Sequence, residues 1–224
     1  KTDGSIVAWG NNDYGQCDVP VPNTGFIAVA GGLWHSLGLK ADGSILAWGW
    51  NNWGQCDVPA PNSDFVAVAC GGLHGLGLRS DGAIVAWGDN RAGQCDVPAP
   101  NSGFVAVAGG EAHSLGLMAN GTIVAWGAND VGQCDVPAAN TGFAAIAACG
   151  EQSLGLKGYL RGDLNCDGEV DFRDINPFVL YLSNLAIWHA AYENCPPENG
   201  DINGDGLFPS FADINPFVAL IASY

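Results

Sequence analysis

Short apolar stretches recur along residues 1–157, separated by clusters of Gly, Pro and Asn. Residues 44–48 are apolar and follow the turn pair Asp42-Gly43. Residues 65–69 alternate bulky and small as Phe, Val, Ala, Val, Ala, and residues 35–39 are interrupted by Gly, which permits close sheet packing. No segment of this half shows a helical period, so the pattern predicts strands. The strands repeat. Trp9, Trp48, Trp87 and Trp126 are spaced by 39 residues, as are Cys17, Cys56, Cys95 and Cys134 within GQCDVP, and Phe26, Phe65, Phe104 and Phe143. His35, His74 and His113 keep the same phase, with Gln152 in the fourth slot. Short strands in a repeat of about 40 residues predict propeller blades or a β-solenoid.

The pattern DGxIVAWGxNxxGQCDVPxxNxxFxAVAxGxxHSLGLK resembles the regulator-of-chromosome-condensation repeat, and more specifically the short bacterial form found in propeller-type β-lactamase inhibitory proteins. The resemblance covers residues 1–157 and implies four-stranded blades around a central axis. Such propellers usually have seven blades, whereas this chain has four repeats. It opens on DGSIVAWG without the hairpin that normally precedes that strand, and residues 143–157 lack the strand that should follow. The two deficits are complementary, and bare strand edges need cover. Three arrangements satisfy this: a ring closed within the chain, further blades upstream, or completion of one chain's last blade by another chain's first strand. A start inside a repeat, with no signal peptide, suggests a mature form or a fragment.

The periodicity stops near Gly158, which divides the chain into a repeat domain, 1–158, and a second domain, 159–224. The second contains GDLNCDGEVDFRDINPFV and GDINGDGLFPSFADINPFV. In the first loop Asp163, Asn165 and Asp167 take positions 1, 3 and 5, Gly168 position 6 and Asp174 position 12. This is calcium-loop spacing: hard oxygen ligands at alternate positions, a sharp glycine turn and a closing carboxylate. Glu169 supplies a backbone carbonyl and Asp171 acts through water. The second loop repeats the scheme with Asp201, Asn203 and Asp205, with Leu207 in the carbonyl position, but its closing Asp213 falls one residue late, so the loop must bulge. Asp174 and Asp213 also suit helix caps, with Pro177 and Pro216 in the first turns. Two loop–helix units without entering helices resemble a dockerin over about residues 161–224. That resemblance implies two calcium ions and a cohesin as partner. Residues 184–199 read as a linker between the two units.

Charge narrows the functional classes. The 224 residues carry 23 acids and 7 bases, a net charge of −16. Such a chain is ill suited to nucleic acid or to anionic membrane surfaces, and no apolar run approaches the roughly 20 residues that span a bilayer. Ten of the acids lie in 159–224, where calcium would offset their repulsion. Eight Cys and one Met fit an oxidising compartment, hence a secreted, extracellular or cell-surface protein. Cys166 and Cys195 are expected to form a disulfide. The four in-phase Cys are too far apart to pair with one another and are expected to remain small buried thiols, whereas Cys70 and Cys149 could each bridge to an in-phase neighbour.

The in-phase histidines read as members of hydrogen bonds within each blade, the in-phase Trp as core, and Asp18, Asp57, Asp96 and Asp135 as turn residues. Aromatics that break the pattern are more informative. Tyr14, Trp34, Trp50 and Trp53 fill loop slots that hold residues such as Ala92, Val131 and Ala112 in sister repeats. Together with Arg91 they are candidate partner-binding residues. No nucleophile–base set or phosphate loop is apparent, and Asn120-Gly121-Thr122 matches a glycosylation sequon. The expectation is therefore a mainly β protein of four propeller-type repeats with a small α-helical calcium module. It would be non-enzymatic, binding a cohesin-like module or its own kind through strand completion, or forming a fibre. The alternatives are a glycan-binding part of a larger enzyme and a propeller-type inhibitor.

Overall fold

The turn chemistry of each repeat forces its hairpins. Asp42 accepts the N–H of Ser44 (3.0 Å) and its hydroxyl (2.6 Å), and Gly43 sits at φ +79°, where a Cβ would also press on the backbone of Asp64. The computed structural model describes residues 3–158, 164, 172–183, 185–192, 195, 197–200, 202 and 214. The chain divides into two compact units, 1–156 and 157–224.

The first unit contains eleven described strands. β1 (Phe26–Gly31), β2 (His35–Lys40) and β3 (Ile45–Gly49) form one antiparallel sheet. β4 (Phe65–Cys70), β5 (His74–Arg79) and β6 (Ile84–Gly88) form the second, and β7 (Phe104–Gly109), β8 (His113–Met118) and β9 (Ile123–Gly127) the third. β10 (Phe143–Cys149) and β11 (Gln152–Lys157) make a two-stranded fourth sheet. The blades therefore have three strands rather than the four that the resemblance implied. The GQCDVP segment, which would run along the outside, is held in turns by its own side chains. Cys56 N–H donates to Asn51 Oδ1 (2.8 Å), and Asn51 Nδ2 donates to Asp57 (2.8 Å), with the same pair of bonds at each of the other three repeats. Asp18, Asp57, Asp96 and Asp135 thus close turns.

Core forms between sheets, because a three-stranded sheet has no interior of its own. Leu37, Leu39 and Ile45 of one sheet meet Phe65 and Trp87 of the next. Leu76, Leu78 and Ile84 meet Phe104 and Trp126 in the same way. Each large apolar side chain buried in this manner contributes about 1.5–3 kcal/mol. Asn side chains clamp successive repeats: Asn62 accepts from Ile45 N–H and donates to its carbonyl, both at 2.7 Å, and Asn23, Asn101 and Asn140 do likewise. At the glycine-lined inner edge, backbone bonds step from sheet to sheet: Leu33 N–H to Gly72 O, Gly72 N–H to Gly110 O, Glu111 N–H to Gly150 O.

The array does not close on itself. Leu154 and Leu156 of β11 are both 66% exposed, and residues 6–10 form no strand. Trp9, expected in the core with its sister tryptophans, is 84% exposed, against 5–8% for Trp48, Trp87 and Trp126. Of the three arrangements, a ring closed within residues 1–158 is not formed: among the described residues the fourth sheet has two strands.

In the second unit, α1 (Ile175–Ser183) follows Asp174, and α2 (Leu185–Ala191) occupies the segment that read as linker. Leu164, Phe178, Tyr181, Trp188 and Cys195 form its described core, with the Tyr181 and Trp188 rings edge to face at 5.0 Å. Among the described residues no helix is long and apolar enough to cross a membrane.

Candidate functional site

Three loop slots converge at the rim of each repeat. Gln55 Oε1 accepts the N–H of Trp53 (2.9 Å), and Gln16, Gln94 and Gln133 do the same for Tyr14, Ala92 and Val131. The backbone bond from Trp50 N–H to Trp34 O (2.8 Å) places the second and third slots side by side, as Asp89 N–H to Leu73 O and Ala128 N–H to Ala112 O do further along. In the first repeat these slots hold Tyr14, Trp34 and Trp50. Tyr14 stands 5.2 Å from Trp34, edge-on, and 5.8 Å from Trp50. In the second they hold Trp53, Leu73 and Asp89, and the Arg91 guanidinium lies 4.0 Å from the Trp53 ring centre. In the third all three are alanine: Ala92, Ala112 and Ala128. The structure thus assembles the five sequence-selected residues into two groups, Tyr14 with Trp34 and Trp50, and Trp53 with Arg91.

Electrostatics fix the second group. Arg91 Nε and Nη2 donate to the two carboxylate oxygens of the buried Asp89 at 2.8 and 2.9 Å. These bonds hold the Asp89 carboxyl below the usual range. The guanidinium is held over the Trp53 ring, which remains half-exposed. Asp89 is the residue that sequence reasoning missed. Its signal was available: an acid two residues before the only Arg in that slot.

The histidines of the second and third repeats each face a serine of the following sheet. His74 Nε2 lies 2.9 Å from Ser114 Oγ, and His113 Nε2 2.9 Å from Ser153 Oγ. Each serine hydroxyl donates instead to the carbonyl of Gln94 or Gln133. With the hydroxyl hydrogen used there, the imidazole Nε2–H is the donor to the serine oxygen. These bonds join successive sheets rather than strands of one blade, a correction to the expectation. His35 lacks the bond because Gly75 stands where the serine belongs, and both its ring nitrogens are buried without a partner. Burial lowers the pKa of His35 and His74 to about 4.

Cys17, Cys56, Cys70, Cys95, Cys134 and Cys149 are free, so Cys70 and Cys149 form no bridge. The in-phase thiols donate to backbone carbonyls at 3.2–3.3 Å, and burial pushes Cys56 up to about 11 and Cys95 to about 12. Cys195 is disulfide-bonded; Cys166 lies outside the described residues. Of the candidate calcium ligands, Asp174 is described. It is buried and its Oδ1 accepts the N–H of Leu164 at 2.7 Å. Asp163, Asn165, Asp167, Glu169, Asp171, Asp201, Asn203, Asp205, Leu207 and Asp213 lie outside the described residues. Among the described residues no cluster of His, Cys, Asp and Glu could hold a metal.

Residues 26–55, 65–94 and 104–133 match the regulator of chromosome condensation (RCC1) repeat. Each match runs from the first strand of a sheet to the glutamine of the following turn. No curated protein matches the sequence. Solved structures share the fold, among them the following three. The ectodomain of the Physcomitrella patens receptor kinase CR4 is 24% identical, with a TM-score of 0.59 over 72% of this chain and 46% of that one. The ectodomain of the Arabidopsis thaliana receptor kinase ACR4 is 23% identical, with a TM-score of 0.58 over 70% and 61%. Prp20p from Saccharomyces cerevisiae is 20% identical, with a TM-score of 0.57 over 69% and 52%. The chain spans about half the length of these structures.

Proposed function

We propose that this array of RCC1-type repeats is a secreted, non-enzymatic protein-binding unit, and that residues 159–224 form a calcium-dependent module that attaches it to a cohesin-like partner or a neighbouring subunit. The observation that carries the first half is the gradient along one rim. Tyr14, Trp34 and Trp50 occupy slots that the third repeat fills with three alanines. The fold does without these rings, and clustered half-exposed aromatics beside a rigid Arg have the composition of binding hot spots. Prp20p, a protein of the same fold, is described as binding Gsp1p and histones. The two loop sequences support the second half: their acids are spaced for two ions, and site formation is coupled to folding.

Two measurements test this. Calorimetric titration should find two calcium ions per chain, with Asp167→Ala and Asp205→Ala each removing one; a chain that takes up none overturns the attachment module. The triple variant Tyr14→Ala/Trp34→Ala/Trp53→Ala should keep the wild-type melting profile and lose capture of its extracellular partner. Unchanged capture overturns the rim assignment, and retention on polysaccharide that the variant loses would assign the rim to sugar.

A further inference from the structure

The two ends of the strands differ in charge. Register fixes which residues share an end: His35 lies opposite Gly49 at the rim, and Phe26 opposite Lys40 at the other end, the foot. Backbone bonds align these ends from sheet to sheet, Leu33 N–H to Gly72 O at the rim and Phe65 N–H to Gly43 O at the foot. Of the thirteen acids in residues 3–157 the foot holds four, Asp3, Asp42, Asp64 and Asp81, beside Lys40, Arg79 and Lys157. The other nine lie in the rim loops, where Arg91 is the one base among the described residues and is already bonded to Asp89. The negative charge is thus concentrated at the end that carries the aromatics. Comparison of neighbouring repeats shows what the first group lacks. Over the Trp53 ring sits the Arg91 guanidinium, bonded to the Asp89 carboxylate. One repeat earlier the places of Trp53, Arg91 and Asp89 are taken by Tyr14, Asn52 and Trp50, so an uncharged amide stands where the cation would be. Trp50 also costs the fold a hydrogen bond. Gln16 Nε2 donates to Asn11 Oδ1 at 2.8 Å, but one repeat on Trp50 occupies the place of that asparagine, and Gln55 Nε2 is buried without an acceptor. A ring kept at the expense of a buried hydrogen bond is not there for stability.

We infer that the partner presents a Lys- or Arg-rich polypeptide segment to the rim, with a cationic head group held on the Tyr14, Trp34 and Trp50 rings as Arg91 is held on Trp53. The inference rests on the rim being the binding surface and specifies the chemistry bound there. Aromatic faces attract a cation through their quadrupole. Tyr14 is 48% exposed and Trp34 36%, so the rings are open to a head group from outside. Exposed carboxylates of the same loops, Asp13, Asp57 and Glu111 among them, supply a field that draws a basic segment in and repels an acidic one. A neutral glycan would stack on the same rings, but nothing in its chemistry answers the charge. The foot has no such excess of acid, so the attraction is directed to one end of the repeats.

Fluorescence anisotropy of labelled octalysine titrated with the full, calcium-loaded chain tests the inference. Octalysine should bind and octaglutamate should not. Trp50→Asn should weaken octalysine binding by about threefold to tenfold. The same variant should raise the melting temperature, because it returns to Gln55 Nε2 the acceptor that Asn11 gives Gln16. Asp13→Asn should also weaken binding, whereas Asp81→Asn, at the foot, should leave it unchanged. The variants keep the acidic second unit of the wild type, so their differences read the rim. Octalysine binding that is unchanged in Trp50→Asn, a melting temperature that falls in that variant, or equal losses in Asp13→Asn and Asp81→Asn overturns the inference. Partner capture that the triple rim variant loses, and that soluble polysaccharide competes while octalysine does not, keeps the rim as the binding surface and overturns its cationic chemistry alone.

Discussion

The pentapeptide IVAWG occurs at residues 6–10, at β6 and at β9, and has two fates. In β6 and β9 it is a strand whose Trp is 5–6% exposed; at 6–10 it is not a strand and its Trp is 84% exposed. Identical local sequence rules out propensity as the cause. What differs is the neighbour. β6 has β5 beside it and the preceding repeat beneath its Trp, whereas residues 6–10 have, among the described residues, the Asn23 clamp and the contact of Ile6 with the first sheet near Gly38. The strand in this fold is a property of the junction between repeats.

The largest effect should separate the two sites directly. Trp126→Ala is expected to cost about 3–5 kcal/mol in denaturant unfolding, and Trp9→Ala to stay within about 0.5 kcal/mol for the monomer. Equal losses would mean that residues 6–10 are ordered by something other than a junction. Acid should act next, and only on interior junctions. His35 and His74 titrate near 4 when folded, below the ordinary 6.5. The unfolded chain thus binds more protons between these values. The contribution is complete above pH 6.5 and is lost as pH falls toward 4, with a slope of up to about 1.4 kcal/mol per pH unit for each histidine. Stability that is flat over this window would show that the imidazoles are solvated. Ser114→Ala should cost about 1–3 kcal/mol, since it strands a buried His74 nitrogen; no loss would mean that His74 tolerates the state His35 already has. Least of all, Arg91→Ala should lower stability slightly, because it leaves the buried Asp89 carboxylate without its guanidinium, and tryptophan fluorescence should change as Trp53 loses its cover; unchanged unfolding and fluorescence would mean that the pair is not formed in solution.

The repeat and its strands were legible because a fixed interval of 39 residues places Trp, Phe and Gly identically each time. The rim was legible for the converse reason: Trp34 and Trp50 break a pattern that defines what the fold needs. The exposed Trp9 was not legible, because burial of that ring depends on a preceding repeat rather than on its own sequence. The inter-sheet bond of His74 was hidden in the same way, since its partner Ser114 lies 40 residues on. α2 was missed because residues 184–199 read as the span between two loop–helix units, although Asn184, just before Leu185, is a favoured N-cap type.

The steps between sheets at the inner edge, from Leu33 to Gly72 and onward to Gly150, use main-chain atoms alone. No side chain there records which blade is first or last. A cassette can therefore be duplicated or deleted in the gene, and the new seam inherits its geometry without compensating substitutions. The length of such an array is a quantity that recombination can change in whole units, with every unit preadapted to any neighbour.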